Sequence, residues 1–184
     1  MHVGAFTRLD RYAVEHWMPW LRPSHPRLIH LHTLVVPETR HTLGGTLVGL
    51  WTFPASPVVS ALLVGSAALA LDRRARRREA VSWCAVWVVG NAIELATKLS
   101  LSRPRLDAVS GFDNSFPSGH TLRAFLVAAA LAAAWPRLRV AYLWALGVPF
   151  ALVVLGDHTP TDVVGGALLA SALIAARFRT SAAP

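Results

Sequence analysis

The sequence predicts an all-α protein: a polytopic membrane helix bundle with about five transmembrane helices, preceded by N-terminal interfacial helices. Three observations carry this. The 184-residue chain is 54% hydrophobic and only 15% charged, against about 25% charged in ordinary soluble domains. Its mean hydropathy is +0.44. Its apolar residues gather in five runs, residues 47–71, 80–97, 121–135, 140–155 and 163–176.

The runs read as helices because alanine, leucine and other small residues dominate them, as in "AFLVAAALAAAW" and "VVGGALLASALIAA". That is the composition of closely packed membrane helices. The first run easily reaches the roughly 20 residues that a spanning helix needs; the others need flanking residues to complete them. Pro54 and Pro57 inside the first run predict a kink, or a true helix start near Pro57. No internal repeat or low-complexity segment stands out.

Charge placement predicts orientation. The net charge is +8 and the pI about 11.4, values that also suit a nucleic-acid binder. The arginines, however, sit between and after the apolar runs: five in "DRRARRRE", two in "RLR" and two after Ala176. With alternating helices these share one side, the cytoplasmic one. No basic patch interleaved with aromatics remains to bind nucleic acid. The expected location is therefore the plasma membrane, multi-pass, with the arginine-rich loops and C-terminus cytoplasmic. The segment from Lys98 to His120 and the turn from Gly156 to Asp162 then face the extracytoplasmic side. Cys84 is the single cysteine and forms no internal disulfide. No cleavable signal is expected, because the first long apolar run begins near Leu47.

Three units follow from these patterns. Residues 1–45 mix charge with Phe6, Tyr12, Trp17 and Trp20, as in a helix lying in the membrane interface. Residues 46–178 form the membrane domain, and 179–184 a cytoplasmic tail. Six of the eight histidines lie in the first 41 residues. Without carboxylate or cysteine companions at ligand spacing, "HPRLIHLH" does not predict a metal site.

Three short segments carry chemistry. "GDHTPTD" places His158 and Asp162 four residues apart, on one face of a helix starting near His158. The carboxylate then holds the proton of one ring nitrogen, leaving the other free as nucleophile or base. "FPSGHTLRA" offers Ser118, Gly119 and His120 at a helix start, where free N–H groups cradle an anion and His120 stands as a partner acid. "KLSLSRPR" adds the charges of Lys98, Arg103 and Arg105. Phosphoryl transfer depends on such charges around the phosphate oxygens. Each segment has a plainer reading: a histidine capping a helix, arginines reaching lipid headgroups, an ordinary turn before a helix. Their gathering on one side of one membrane favours the chemical reading. Lys98 adds to it as the sole lysine among eighteen lysines and arginines. Glu94, four residues before Lys98, and Asn91 are polar groups inside an apolar run. Such groups are costly there, and Glu94 is expected to pair with Lys98.

The three segments resemble the signature motifs of the type 2 phosphatidic acid phosphatase family, membrane lipid phosphatases that share a helical core with vanadium haloperoxidases. Lys98 and Arg105 have the first motif's spacing, with Leu106 in place of its final proline; Pro-Ser-Gly-His is complete at 117–120; His158 and Asp162 match the third motif, with Gly156 before them. The resemblance implies that His158 attacks phosphorus to form a phosphohistidine, Asp162 orients it and His120 protonates the leaving group. Lys98, Arg105, Ser118 and the Gly119 backbone would hold the phosphate, with no metal or other cofactor. The substrate implied is a lipid phosphate: a polyprenyl phosphate or diphosphate, a prenyl-linked sugar phosphate, phosphatidate or phosphatidylglycerol phosphate. Beyond that substrate and membrane lipids, no partner is indicated.

The third motif also departs from the family. Its Ser-Arg pair falls at Ala151 and Leu152, and losing one pre-positioned donor costs about 100- to 1,000-fold in rate. Arg123, one turn after His120, is the expected replacement, with Arg103 a second candidate and the headgroups an alternative destination for Arg123. The departure leaves a rival open: a degenerate relative that binds a lipid phosphate or a membrane partner without hydrolysis. Transfer to an acceptor other than water is also compatible with the motifs.

Overall fold

Prolines and arginines punctuate the chain, and helices fall between them. The computed structural model describes residues 5–16, 43–101, 116–154 and 158–181. In it α1 is Ala5–His16 and α2 is Leu43–Thr52. A 3-10 turn over Phe53–Ala55 follows, then α3, Pro57–Asp72, and α4, Arg77–Ser100. After these come α5, Gly119–Ala134, a second 3-10 turn over Pro136–Val140, α6, Ala141–Val154, and α7, Pro160–Ser181. No strand occurs among the described residues, so the protein is all-helical.

The break expected at Pro54 and Pro57 is present: Gly49–Ala55 and Pro57–Asp72 meet at a bend of 57°. Pro57 opens α3, where its missing N–H leaves no helical bond unmade. By length and composition, Arg77–Ser100 and Pro160–Arg179 can each cross a membrane, and the bent pair makes a third if it is one broken span. Among the described residues this gives two or three spans, which does not confirm the count of about five. The two other apolar helices are short: α5 has 16 residues and α6 has 14, with Pro149 inside it. At 1.5 Å per residue they extend about 24 and 21 Å, less than the roughly 30 Å of a hydrocarbon core.

The helix surfaces are nonetheless those of a membrane-associated bundle. Val58, Leu62, Leu99, Leu143, Phe150 and Leu168 are each 65% or more exposed, a density of large apolar side chains unsuited to water. The core forms around α5, which packs on α3, α4, α6 and α7. Leu122, Leu126 and Val127 on it are enclosed, and its alanines let the neighbouring helices approach closely.

The bundle has two chemically different ends. At one, Arg74 donates to the Ala134 carbonyl and Arg76 to that of Ala133 at 3.2 Å, joining the α3–α4 turn to the end of α5. Arg177 of α7 comes to the same end, donating to Ser82 Oγ at 2.8 Å and pairing with Glu79 at 3.3 Å. Its guanidinium lies 4.2 Å from the Trp83 ring centroid. The starts of α5 and α7 and the end of α4 lie at the opposite end.

Arg177→Ala is expected to lower stability by about 2 kcal/mol, the scale of a desolvated cation–π contact and a charge-assisted hydrogen bond. Arg179→Ala, at an exposed position, should change it by less than about 0.5 kcal/mol. Equilibrium unfolding of the two variants in detergent checks the contrast.

Candidate functional site

The end opposite the arginines is built from three helix termini. Ser118 caps α5: its hydroxyl oxygen accepts from Thr121 N at 3.3 Å and from the Thr121 hydroxyl at 3.1 Å. Its own N–H donates to the Asp162 carbonyl at 2.9 Å. That backbone bond joins the Pro-Ser-Gly-His turn to the first turn of α7. Two glycines make the junction possible. A Cβ on Gly166 would collide with the Ser118 carbonyl, and one on Gly119 would overlap the Glu94 carboxylate.

At the start of α7, Asp162 is fully buried and its Oδ2 accepts from Thr159 N at 3.1 Å. His158 Nδ1 lies 3.6 Å from the same oxygen. This is an ion-pair distance, slightly beyond a hydrogen bond, and such bonds in catalytic sites often tighten only with substrate. His158 Nδ1 is buried without a hydrogen-bond partner, so the Asp162 carboxylate is the acceptor poised for it. The helix begins at Pro160, two residues later than the spacing argument expects. His158 therefore sits in the turn that Asp162 caps, yet still meets Asp162. The His158 amide donates to the Leu152 carbonyl at 3.4 Å, linking this turn to the end of α6.

The third terminus is that of α4. Glu94, 7% exposed, takes Lys98 Nζ at 2.7 Å, the pairing expected from their spacing. Its other oxygen takes Arg123 Nη1 at 2.8 Å. Arg123 also donates from Nη1 to Asn91 Oδ1 at 3.0 Å and from Nε to the Ala55 carbonyl at 2.8 Å. Arg123 is 6% exposed, so it does not take the alternative course to the headgroups: it turns inward and anchors a buried network, where Glu94 engages the guanidinium expected to replace the third-motif cation. Ala151 and Leu152, where the family keeps Ser-Arg, are buried on α6.

His120 lies in the first turn of α5, partly buried. The charged groups acting on its ring are Arg123, His158, Glu94 and Lys98. Lys98, His120 and His158, one from each motif, thus lie close enough for their charges to act on one another. Arg103, Arg105, Gly156 and Asp157 lie outside the described residues, as do Trp17, Trp20 and the "HPRLIHLH" stretch. Among the described residues, no three His, Cys, Asp or Glu side chains form a metal-binding group. A groove of about 540 Å³, lined by Arg74, Trp135, Pro136, Arg137 and Leu138, belongs to the arginine end.

Sequence reasoning missed one residue that touches this site. Asp10 of α1 accepts from Thr161 N at 3.1 Å, next to Asp162. No spacing rule links residues so far apart in the chain.

The network predicts a coupling. Glu94→Ala leaves a buried guanidinium unpaired and is expected to destabilise by about 3–5 kcal/mol. Combining it with Arg123→Met removes the orphaned charge, so the double variant should be more stable than Glu94→Ala alone. Unfolding of the single and double variants in detergent measures this.

Residues 96–183 match the sequence model of the PAP2 superfamily. No curated protein and no solved structure gives a significant match. The matched stretch contains Lys98, the complete Pro-Ser-Gly-His turn and the His158–Asp162 pair, all of them at one end of the bundle. Over residues 96–183 the chain is thus similar to the PAP2 superfamily, whose members are generally phosphatases acting on phosphate esters.

Proposed function

We propose that the protein is a metal-independent integral membrane phosphatase that hydrolyses a phosphomonoester or diphosphate of a lipid. The observation that carries this reading is the Ser118 N–H bond to the Asp162 carbonyl, because it brings the turn bearing His120 to the helix start bearing His158 and Asp162. In this reading His158 Nε2 attacks phosphorus while Asp162 holds the proton on Nδ1. A P–N bond forms, the P–O bond to the lipid breaks, and the leaving oxygen takes a proton from His120. Water then attacks the phosphohistidine and gives a proton to His120. The P–N bond breaks, and both imidazoles return to their starting states. Lys98, Arg103, Arg105, Ser118 and the Gly119 N–H hold the phosphate oxygens.

Arg123 stands behind this group. Lys98 and Arg123 share the single carboxylate of Glu94, so that carboxylate is not left to neutralise Lys98 alone. The substrates that fit are those of the resemblance: polyprenyl phosphate or diphosphate, a prenyl-linked sugar phosphate, phosphatidate or phosphatidylglycerol phosphate. The arginines at the far end of the bundle support a cytoplasmic placement for that end and an extracytoplasmic one for the site, in the plasma membrane.

One observation favours a second reading, in which a lipid phosphate or a membrane partner is bound without hydrolysis. The third-motif cation is replaced by buried Ala151 and Leu152, and Arg123 is already engaged by Glu94. Purified protein in detergent, given a panel of these lipid phosphates without added metal, distinguishes the two. Hydrolysis predicts phosphate release that His158→Ala abolishes and His120→Ala slows by about 100- to 10,000-fold. Tight binding with no release selects the second reading, and release unaffected by His158→Ala removes His158 as the nucleophile.

A further inference from the structure

Asp10 lies in α1, outside the superfamily segment, yet it is 1% exposed. Its neighbours Arg8, Leu9, Arg11 and Tyr12 are exposed, and Ala13, one turn on, is buried. Residues 10 and 13 therefore form the face by which α1 docks on the bundle. The Asp10 carboxylate accepts two hydrogen bonds from one residue, from Thr161 N to Oδ1 at 3.1 Å and from the Thr161 hydroxyl to Oδ2. Asp162 meanwhile binds Thr159 N at 3.1 Å. Two carboxylates thus hold successive donors at the start of α7, one from within the turn and one from a helix 151 residues away. Negative charge at a helix N-terminus is favourable in itself. Here it also fixes the backbone between His158 and Asp162.

We propose that Asp10 is a positioning residue: α1 latches onto the start of α7 and sets the angle at which His158 meets the phosphate. The effect on turnover rests on the reading of His158 as nucleophile; the latch does not. Without Asp10, Thr161 loses both bonds and the turn that carries His158 is free to shift. A small misplacement of a reacting group is enough to slow catalysis greatly while leaving substrate binding by Lys98 and the α5 turn largely intact.

The test uses the full chain in detergent with phosphatidate as substrate and orthovanadate, a phosphate-sized anion, to count folded sites. Asp10→Ala is expected to lower kcat per vanadate-binding site by about 100-fold, with KM little changed. Asp10→Asn should retain much of kcat, since its amide oxygen still accepts from Thr161 N. A role in folding alone would reduce the number of sites and leave kcat per site unchanged; that result overturns the proposal. The second arm is hydrogen exchange, which should accelerate over residues 158–164 in Asp10→Ala and stay unchanged in α4. Unchanged exchange over 158–164 also overturns the latch. If the wild type releases phosphate from none of the panel of lipid phosphates, the phosphatase reading fails, while the exchange arm still decides whether Asp10 holds the turn. Should Asp10→Ala not fold, Thr161→Val, which removes only the hydroxyl bond, takes its place in both arms with a smaller expected effect in the same direction.

Discussion

A carboxylate with almost no access to water organises the motif end of this bundle. Glu94 is 7% exposed, and an ionised group so placed is tolerated only when charged partners offset its lost hydration. Lys98 comes from its own helix and Arg123 from α5. Arg123 would be as costly alone, and it recruits Asn91 and the Ala55 carbonyl. Because Ala55 lies at the proline-induced break between α2 and α3, one chain of charge compensation fixes three elements against each other. Gly119 follows from the same constraint, since the Glu94 carboxylate occupies the space a side chain there would need.

The electrostatic consequence bears on phosphate. A guanidinium placed directly in a phosphate site contributes its charge and its donors together. In the proposed reading the Arg123 charge goes first to Glu94, and a phosphate would be met by the Lys98 ammonium, 30% exposed. Lysine suits that role because it is a compact charge on a flexible stem that can leave a carboxylate for a stronger anion, whereas an arginine bound at several donors is held in place. On that proposal, the division of labour accounts for the one lysine in a chain that uses arginine everywhere else.

Much of this was legible in the sequence, and the limits have physical reasons. Helix type and approximate extent follow from composition and from Pro54 and Pro57, because these act on the local backbone. Pairs four residues apart, Glu94 with Lys98 and His158 with Asp162, were also readable, since helical geometry brings such residues together. Even there the start of α7 moved to Pro160, because capping by Asp162 and a proline at the first helical position outweigh a simple spacing rule. The Arg123–Glu94 pair and the Asp10–Thr161 clamp were not readable. They join distant parts of the chain, and only tertiary packing decides which polar groups meet. The number of spans is less legible for a related reason: apolar runs of 14–16 residues pass for spans by composition, and length decides only once the ends of each helix are known.

The contacts that join the motifs are mostly made by the backbone. Ser118 N meets the Asp162 carbonyl, Gly166 lies against the Ser118 carbonyl, and His158 N meets the Leu152 carbonyl. Backbone contacts of this kind tolerate change in most side chains but not in helix position, since hydrogen bonds weaken steeply when the helices slide. The positions of α5, α6 and α7 are therefore the quantity to be preserved, and α4 holds its neighbours from both ends. Arg74, Arg76 and Arg177 tie the helices at one end, while Glu94 and Arg123 tie them at the other. The absence of an arginine at position 152 fits this scheme. On α6, whose surroundings at Ala151 and Leu152 are closely packed and apolar, a charge would need its own compensating partner. On α5 the charge at Arg123 already has one in Glu94, so a guanidinium is stable there and would be costly at position 152.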